Sequence, residues 1–222
     1  MKATAQDRHS LFLLLSLVVF LVLFPFLEHG RIGGQVLEVL FIILLIAATL
    51  ELSNQLSHLR GAILLVICAI LVHVGDHFYP TIRPLSIASH SLVALFFGFV
   101  CVGLFAYLGR RGAITSGRLY ASVSLYLILG MFWFSIYSLV ETVYPGSFVQ
   151  MAPTQVTNLR RDALLYFSLI TLTTVGYGDI VAVSPPARLF AALEGVTGVL
   201  YIAITVARLV AAYQSASNED AS

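Results

Sequence analysis

Thr171-Leu172-Thr173-Thr174-Val175-Gly176-Tyr177-Gly178-Asp179 is the stretch around which the chain is organised. It lies between apolar segments long enough to cross a bilayer, yet its two glycines, one residue apart, argue against helix or strand. Irregular backbone at membrane depth is tolerated only where it is buried in protein or lines a wet cavity. Glycine at alternate positions admits left-handed dihedrals that L-residues resist. Alternating the two hands swings successive carbonyls to one side and turns residues 174–178 into a ladder of oxygens. Such a ladder is a ligand set for a monovalent cation whose hydration shell the oxygens replace.

From Thr173 to Asp179 the run resembles, residue for residue, the filter of the tetrameric potassium channels, and the resemblance extends over residues 119–213 as outer helix, pore helix, filter and inner helix. The resemblance implies that Thr174, Val175, Gly176, Tyr177 and Gly178 form the ion-binding filter, with the carbonyls of the first four and the Thr174 hydroxyl as K+ ligands. It implies too that Val175 and Tyr177 point away from the ions and pack against the pore helix. Sodium-conducting relatives typically change the tyrosine or second glycine; Tyr177 and Gly178 are intact, which favours potassium. One chain supplies one loop and a ring needs four, so the resemblance implies a homotetramer. Gly198 matches the family's hinge glycine of the inner helix, a role Gly195 can share, and Val199, Ile202 and Val206 match its cavity-lining face. The alternative for both glycines is a close small-residue helix contact. An apolar ring at Ile202 or Val206 would close the pore by dewetting. The chain departs from one subset of relatives, with Ile170 in place of a carboxylate and Tyr166-Phe167 in place of a tryptophan pair. Asp179 is therefore expected to bond Tyr166 or a main-chain amide, and Tyr166, Thr173, Asp179 and Glu194 are expected to support the filter.

Composition frames the same reading. With 59% hydrophobic and 10% charged residues the chain is expected to be an all-α integral membrane protein, and its mean hydropathy is +0.95. A net charge of +1 with no basic patch speaks against a nucleic-acid partner, leaving further copies of the chain and membrane lipids. Cys68 and Cys101 both fall in apolar segments and read as small buried hydrophobes. No nucleophile–base constellation appears, so an enzyme is not expected.

Six transmembrane helices are expected, over residues 11–27, 34–52, 61–77, 85–108, 119–140 and 189–210, the third being the least apolar. The first is read as a retained span, since no small-residue cleavage site follows it. This gives a four-helix leading domain at residues 1–112, a pore domain at 113–213 and a disordered cytoplasmic tail at 214–222, with no soluble ligand-binding domain. Six spans put both termini on one side. That side carries Lys2, Arg8, Arg60, Arg110, Arg111, Arg118 and Arg208, against Arg31, Arg83, Arg160, Arg161 and Arg188 on the other. The bias puts the termini in the cytoplasm of a cell-membrane protein and the Asp179 end of the filter outside.

Between the last two spans, Tyr144-Pro145-Gly146-Ser147 ends a helix and residues 151–158 form an exterior loop. Residues 162–173 read as a re-entrant pore helix, too short to cross, with Asp162 suiting the dipole at its start and the partial negative charge of its end aimed at the bilayer centre. Glu194 is costly at membrane depth, so it either bonds Ser168 or Thr171 behind the filter or titrates there, or else lies partly solvated near the outer end. Glu38 and Glu141 read as interfacial.

His73 and His77 place two imidazoles at i, i+4 with Asp76 nearby, a spacing that can bind a transition metal, although no second ligand cluster accompanies it. Interfacial or cavity-lining histidines and a proton-sensing role stay open, and His90 is given no role. Residues 85–108 contain no lysine or arginine. Moving one charge through the field yields about 2.3 kcal/mol per 100 mV, so voltage sensing of the usual kind is rejected. The expectation is a passive potassium channel. The alternatives are gating by a ligand, lipid, metal or proton bound in the leading helices, or a subunit of a potassium transporter.

Overall fold

The computed structural model describes residues 5–27, 31–53, 59–79, 81–109, 115–151 and 161–219. Its helices are α1 (Ala5–Leu27), α2 (Arg31–Ser53), α3 (Leu59–Phe78), α4 (Arg83–Gly109), α5 (Ser116–Val143), α6 (Arg161–Leu172) and α7 (Pro185–Glu219). Five of them, α1, α2, α4, α5 and α7, are long and apolar enough to cross a membrane. In α3 the segment Ile63–Phe78 is apolar but shorter, which agrees with its weak sequence signal.

α5 is the spine. It packs against α1 and α4 on one side and against α6 and α7 on the other. Ile128, Met131 and Tyr137 along it are fully buried. Lipid tails are as apolar as leucine, so such contacts gain from close packing and interhelical hydrogen bonds more than from leaving water. Polar ties of this kind recur between the helices. Ser10 in α1 donates to Glu51 in α2 at 2.8 Å, with both side chains buried. The Gly117 amide at the start of α5 donates to Asp7 at 3.0 Å, placing a carboxylate where the helix dipole favours it. At the other end of α5, Arg83 donates to the Thr142 and Val143 carbonyls at 3.1 and 2.8 Å. Thr115 caps α5 by accepting from the Arg118 amide.

Three differences from the sequence expectation stand out. The fold is mostly helical but not purely α: β1 (Phe148–Gln150) pairs antiparallel with β2 (Ile180–Ala182), in the register Phe148 with Ala182. The inner helix does not stop at residue 213; α7 continues through Glu219, so helix stands where a disordered tail was expected over 214–219. Glu38 and Glu141, read as interfacial, also have partners that the sequence did not show: Glu38 lies against two histidines and Glu141 accepts from the amides of a turn. Lys2, Arg110, Arg111 and Arg160, residues 152–158 of the exterior loop and the tail residues 220–222 lie outside the described residues.

Candidate ion-binding filter

Helix α6, at the position expected for a pore helix, spans 12 residues, about 18 Å at the usual rise, too short to cross a membrane. Asp162 falls in its first turn, though its side chain lies outside the described residues. A helix leaves its last four carbonyls without intrahelical partners. Here all four are taken. Leu169 accepts from the Thr173 amide and hydroxyl, and Ile170 from the Val175 and Gly176 amides at 2.9 and 3.1 Å. Thr171 accepts from the Thr174 amide at 3.0 Å, and Leu172 from the Tyr126 hydroxyl at 3.2 Å. Any attraction of α6 for a cation therefore comes from its aligned peptides rather than from free terminal oxygens.

Those bonds shape the filter segment. The amides of residues 174–176 are tied back to the pore helix. Positive φ recurs at every second residue: Thr174 at 60°, Gly176 at 52° and Gly178 at 77°. This is the alternation of hands read from the glycine spacing, with Thr174 as a third left-handed position. A left-handed threonine costs about 1–2 kcal/mol, and each backbone bond returns about 1 kcal/mol, so the tie to α6 roughly offsets the strain. Residues 173–178 are all exposed on the single chain. Val175 and Tyr177, expected to pack against the pore helix, are 51% and 72% exposed on the single chain. Tyr166 on α6 interacts through its side chain with Asp179, the partner anticipated for it. Oδ1 of Asp179 is buried and has no hydrogen-bond partner within the chain.

Behind the filter sits Glu194, with no exposed surface. It neither reaches Thr171 nor lies partly solvated. Its Oε1 accepts from Ser168 of α6 at 2.6 Å, and its Oε2 accepts from the Tyr137 hydroxyl of α5. Ser168 also lies 2.8 Å from the Gly130 carbonyl, so one hydroxyl proton faces two acceptors. Outer, pore and inner helices are thus joined at one buried carboxylate. Tyr137 further stacks edge-on with Phe148 and Phe167, at 5.1 and 5.2 Å between ring centres, which closes this corner with aromatic surface.

Along α7 the buried residues include Ala187, Glu194, Gly198 and Tyr201, a stripe at helical spacing. Gly198 lies directly under the end of α6: a Cβ there would collide with the Leu172 carbonyl oxygen. Close packing is therefore its observed role, and the hinge reading is not needed to explain it. Gly195 meets nothing within 4 Å. Val199, Ile202 and Val206 share a face with it and are 54%, 50% and 53% exposed on the single chain. Tyr201 holds the lower part of α7 to α5, donating to the Ser122 carbonyl at 2.5 Å.

At the outer mouth the ribbon carries the chain away from the filter. The Met151 amide donates to the Asp179 carbonyl at 2.7 Å, and the Val183 amide to that of Ser147 at 2.8 Å. Glu141 fixes the preceding turn by accepting from the Gly146 and Phe148 amides at 2.7 and 3.2 Å. Gly146 has a φ of 81°, which the Pro145-Gly146 turn requires. Sequence reasoning missed Glu141, Tyr137 and the ribbon; only the Pro-Gly pair hinted at the turn.

His73 and His77 lie outside this site. Each points at Glu38 of α2, His73 Nε2 at 3.3 Å from Oε2 and His77 Nδ1 at 3.0 Å from Oε1. Among the described residues no group of three or more ligating side chains is placed to hold a metal ion. The metal reading of this pair therefore gives way to a carboxylate clasped by two imidazoles.

Residues 113–215 match the family model described as ion channel, a span from just before α5 to the last part of α7. This supports an ion channel of the pore-loop type in a multi-pass membrane protein, and points away from an enzyme. No curated protein and no solved structure matches the chain.

Proposed function

We propose that this chain is one of four identical subunits of a passive, potassium-selective channel. The observation that carries the reading is the filter's backbone: positive φ at Thr174, Gly176 and Gly178, with the amides of 174–176 bonded to the pore helix. Fixing the amides on one side leaves the carbonyls of Thr174, Val175, Gly176 and Tyr177 to the other. Four such ladders around an axis offer K+ a stack of oxygen cages in place of its water. The tie to α6 resists collapse of the cages onto a smaller ion. The Thr174 hydroxyl adds the innermost ligand.

Exposure supports the assembly. Of the membrane-span window of α7 only 17% is buried within the chain, against 61% for α5. Val175, Tyr177 and the Val199–Ile202–Val206 face need covering, by neighbouring subunits on one side and by the ion pathway on the other. In this arrangement Gly195 faces the cavity, and Ile202 or Val206 forms the apolar constriction. Both termini lie in the cytoplasm and the ribbon faces outward. No charge-bearing sensor is present in residues 85–108, so gating does not follow voltage steeply.

The test is a planar bilayer holding the purified protein with K+ on one side and Na+ on the other. Unitary currents with a reversal potential far toward the K+ side are expected. Flux that saturates at transporter rates without unitary steps would favour the transporter reading.

A further inference from the structure

A cavity of about 150 Å³ opens among α1, α2, α3, α4 and α5, towards the end where α1, α3 and α5 finish and α2 and α4 begin. Phe20, Phe24, Phe41 and Phe134 stand in its walls, and no lysine or arginine lines it. We propose that this cavity is a binding site for a small neutral hydrocarbon of single-ring size, of which toluene is the type, taken up from the bilayer.

The polar groups at the cavity are engaged within the chain itself. Ser135 and Ser138 turn their hydroxyls back to the Met131 and Phe134 carbonyls, at 2.8 and 2.9 Å. His73 and His77 lie against Glu38, and Nδ1 of His73 is 3.1 Å from the Ser89 hydroxyl. His90 has a partner too, and Glu38 a further one. What the cavity offers a guest is therefore its apolar wall. A polar or charged guest would give up its hydration without a free partner in return.

The phenylalanines select the shape. Phe134 packs on Phe24, Phe24 on Phe20 and Phe20 on Phe41, with ring centres 6.0, 5.3 and 5.7 Å apart. This wall is built before any guest arrives, so little ordering is needed on binding. Lipid tails are as apolar as the wall, and leaving the bilayer gains nothing from hydrophobicity alone. The gain comes from contact: atoms lining a void lack partners on one side, and a ring of the right size restores them, edge to face. An apolar cavity of roughly 150 Å³ takes a benzene-sized molecule. Gly34 supplies the means to close the site. It shares a helix face with Leu37, Glu38 and Phe41, all at the cavity, and a Cβ built on it meets nothing within 4 Å. A larger side chain there has room to grow into the cavity.

The experiment follows fluorobenzene by fluorine NMR with the purified full-length protein in nanodiscs, empty nanodiscs giving the signal of probe dissolved in the bilayer. Because no current is read, the outcome is independent of whether the pore conducts potassium. A second, saturable signal of bound probe is expected with the natural protein. Toluene should displace it, whereas triisopropylbenzene, equally apolar but too wide for the cavity, should not. Gly34→Phe should weaken fluorobenzene binding at least tenfold. The absence of a saturable signal with the natural protein would overturn the proposal and leave the cavity to lipid tails. So would an undiminished signal in folded Gly34→Phe, or equal displacement by the two hydrocarbons, either of which would put the probe at the lipid-facing surface instead. Should Gly34→Phe fail to fold, the two hydrocarbons on the natural protein still decide.

Discussion

Glu38 and Glu194 both lie on membrane-spanning helices, one in each half of the molecule, and their surroundings are opposite. Glu194 is sealed between three helices and held by two hydroxyls, from Ser168 and Tyr137. Glu38 is held by two imidazoles and borders an open cavity. A charge-bearing group at this depth is expensive unless every bond it can make is made. Enclosure fits Glu194 to fix distances behind a filter that tolerates little movement. Glu38, against two histidines, keeps 18% of its side-chain surface exposed at the edge of a cavity. The same side chain is a sealed strut in one half and a cavity-lining group in the other.

That contrast breaks most sharply on truncation. Glu194→Ala strands two buried hydroxyls and opens a void, so a loss of about 3 kcal/mol is expected. Thermal melts of the assembled protein in K+ should fall steeply, with unitary current lost. Glu38→Ala, beside an existing cavity, should cost less than about 1 kcal/mol and leave ion selectivity intact. Comparable losses at the two sites would remove the distinction.

The two glycines of α7 offer a second contrast on one helix. Gly198→Ala drives a methyl into the Leu172 carbonyl, and overpacking of this kind costs about 1–3 kcal/mol. Because Leu172 ends the pore helix, K+ over Na+ selectivity should fall with stability. Gly195→Ala meets open space and should gain up to about 1 kcal/mol from helix propensity. A damaging Gly195→Ala with a silent Gly198→Ala would reverse the assignment and restore the hinge reading. Smaller again is Tyr137→Phe, which deletes one donor to Glu194 and keeps the ring packing. About 1 kcal/mol is expected, non-additive with Ser168→Ala because both act on one carboxylate. Strict additivity in that double-mutant cycle would mean that the two hydroxyls do not share a network.

Much of the molecule is legible in its sequence, and the reason is local. The candidate filter announces itself because its conformation depends on residues two positions apart, Gly176 and Gly178. The long helices follow from apolar runs that need no partner to be recognised. What escapes depends on contacts far along the chain. Ser168 and Thr171 lie three residues apart on α6, so spacing alone leaves both as partners of Glu194; only the packing of α5 and α7 chooses Ser168 and adds Tyr137. The ribbon joins two segments of three residues, too short to show an alternating pattern. The i, i+4 spacing puts His73 and His77 on one helix face, but nothing local points to Glu38, about thirty-five residues earlier on another helix. The left-handed Thr174 escapes for a different reason: its holding bond to Thr171 is local, but threonine, unlike glycine, gives no sequence signal for positive φ.

The central claim is that backbone oxygens of residues 174–177, held from behind, replace the water around K+. Its most direct measurement is the reversal potential of the purified channel under K+/Na+ bi-ionic conditions. A value displaced by more than about 60 mV in the direction of potassium selectivity is expected, roughly a tenfold or greater permeability ratio. A reversal potential near zero, with the protein folded and conducting, would contradict it.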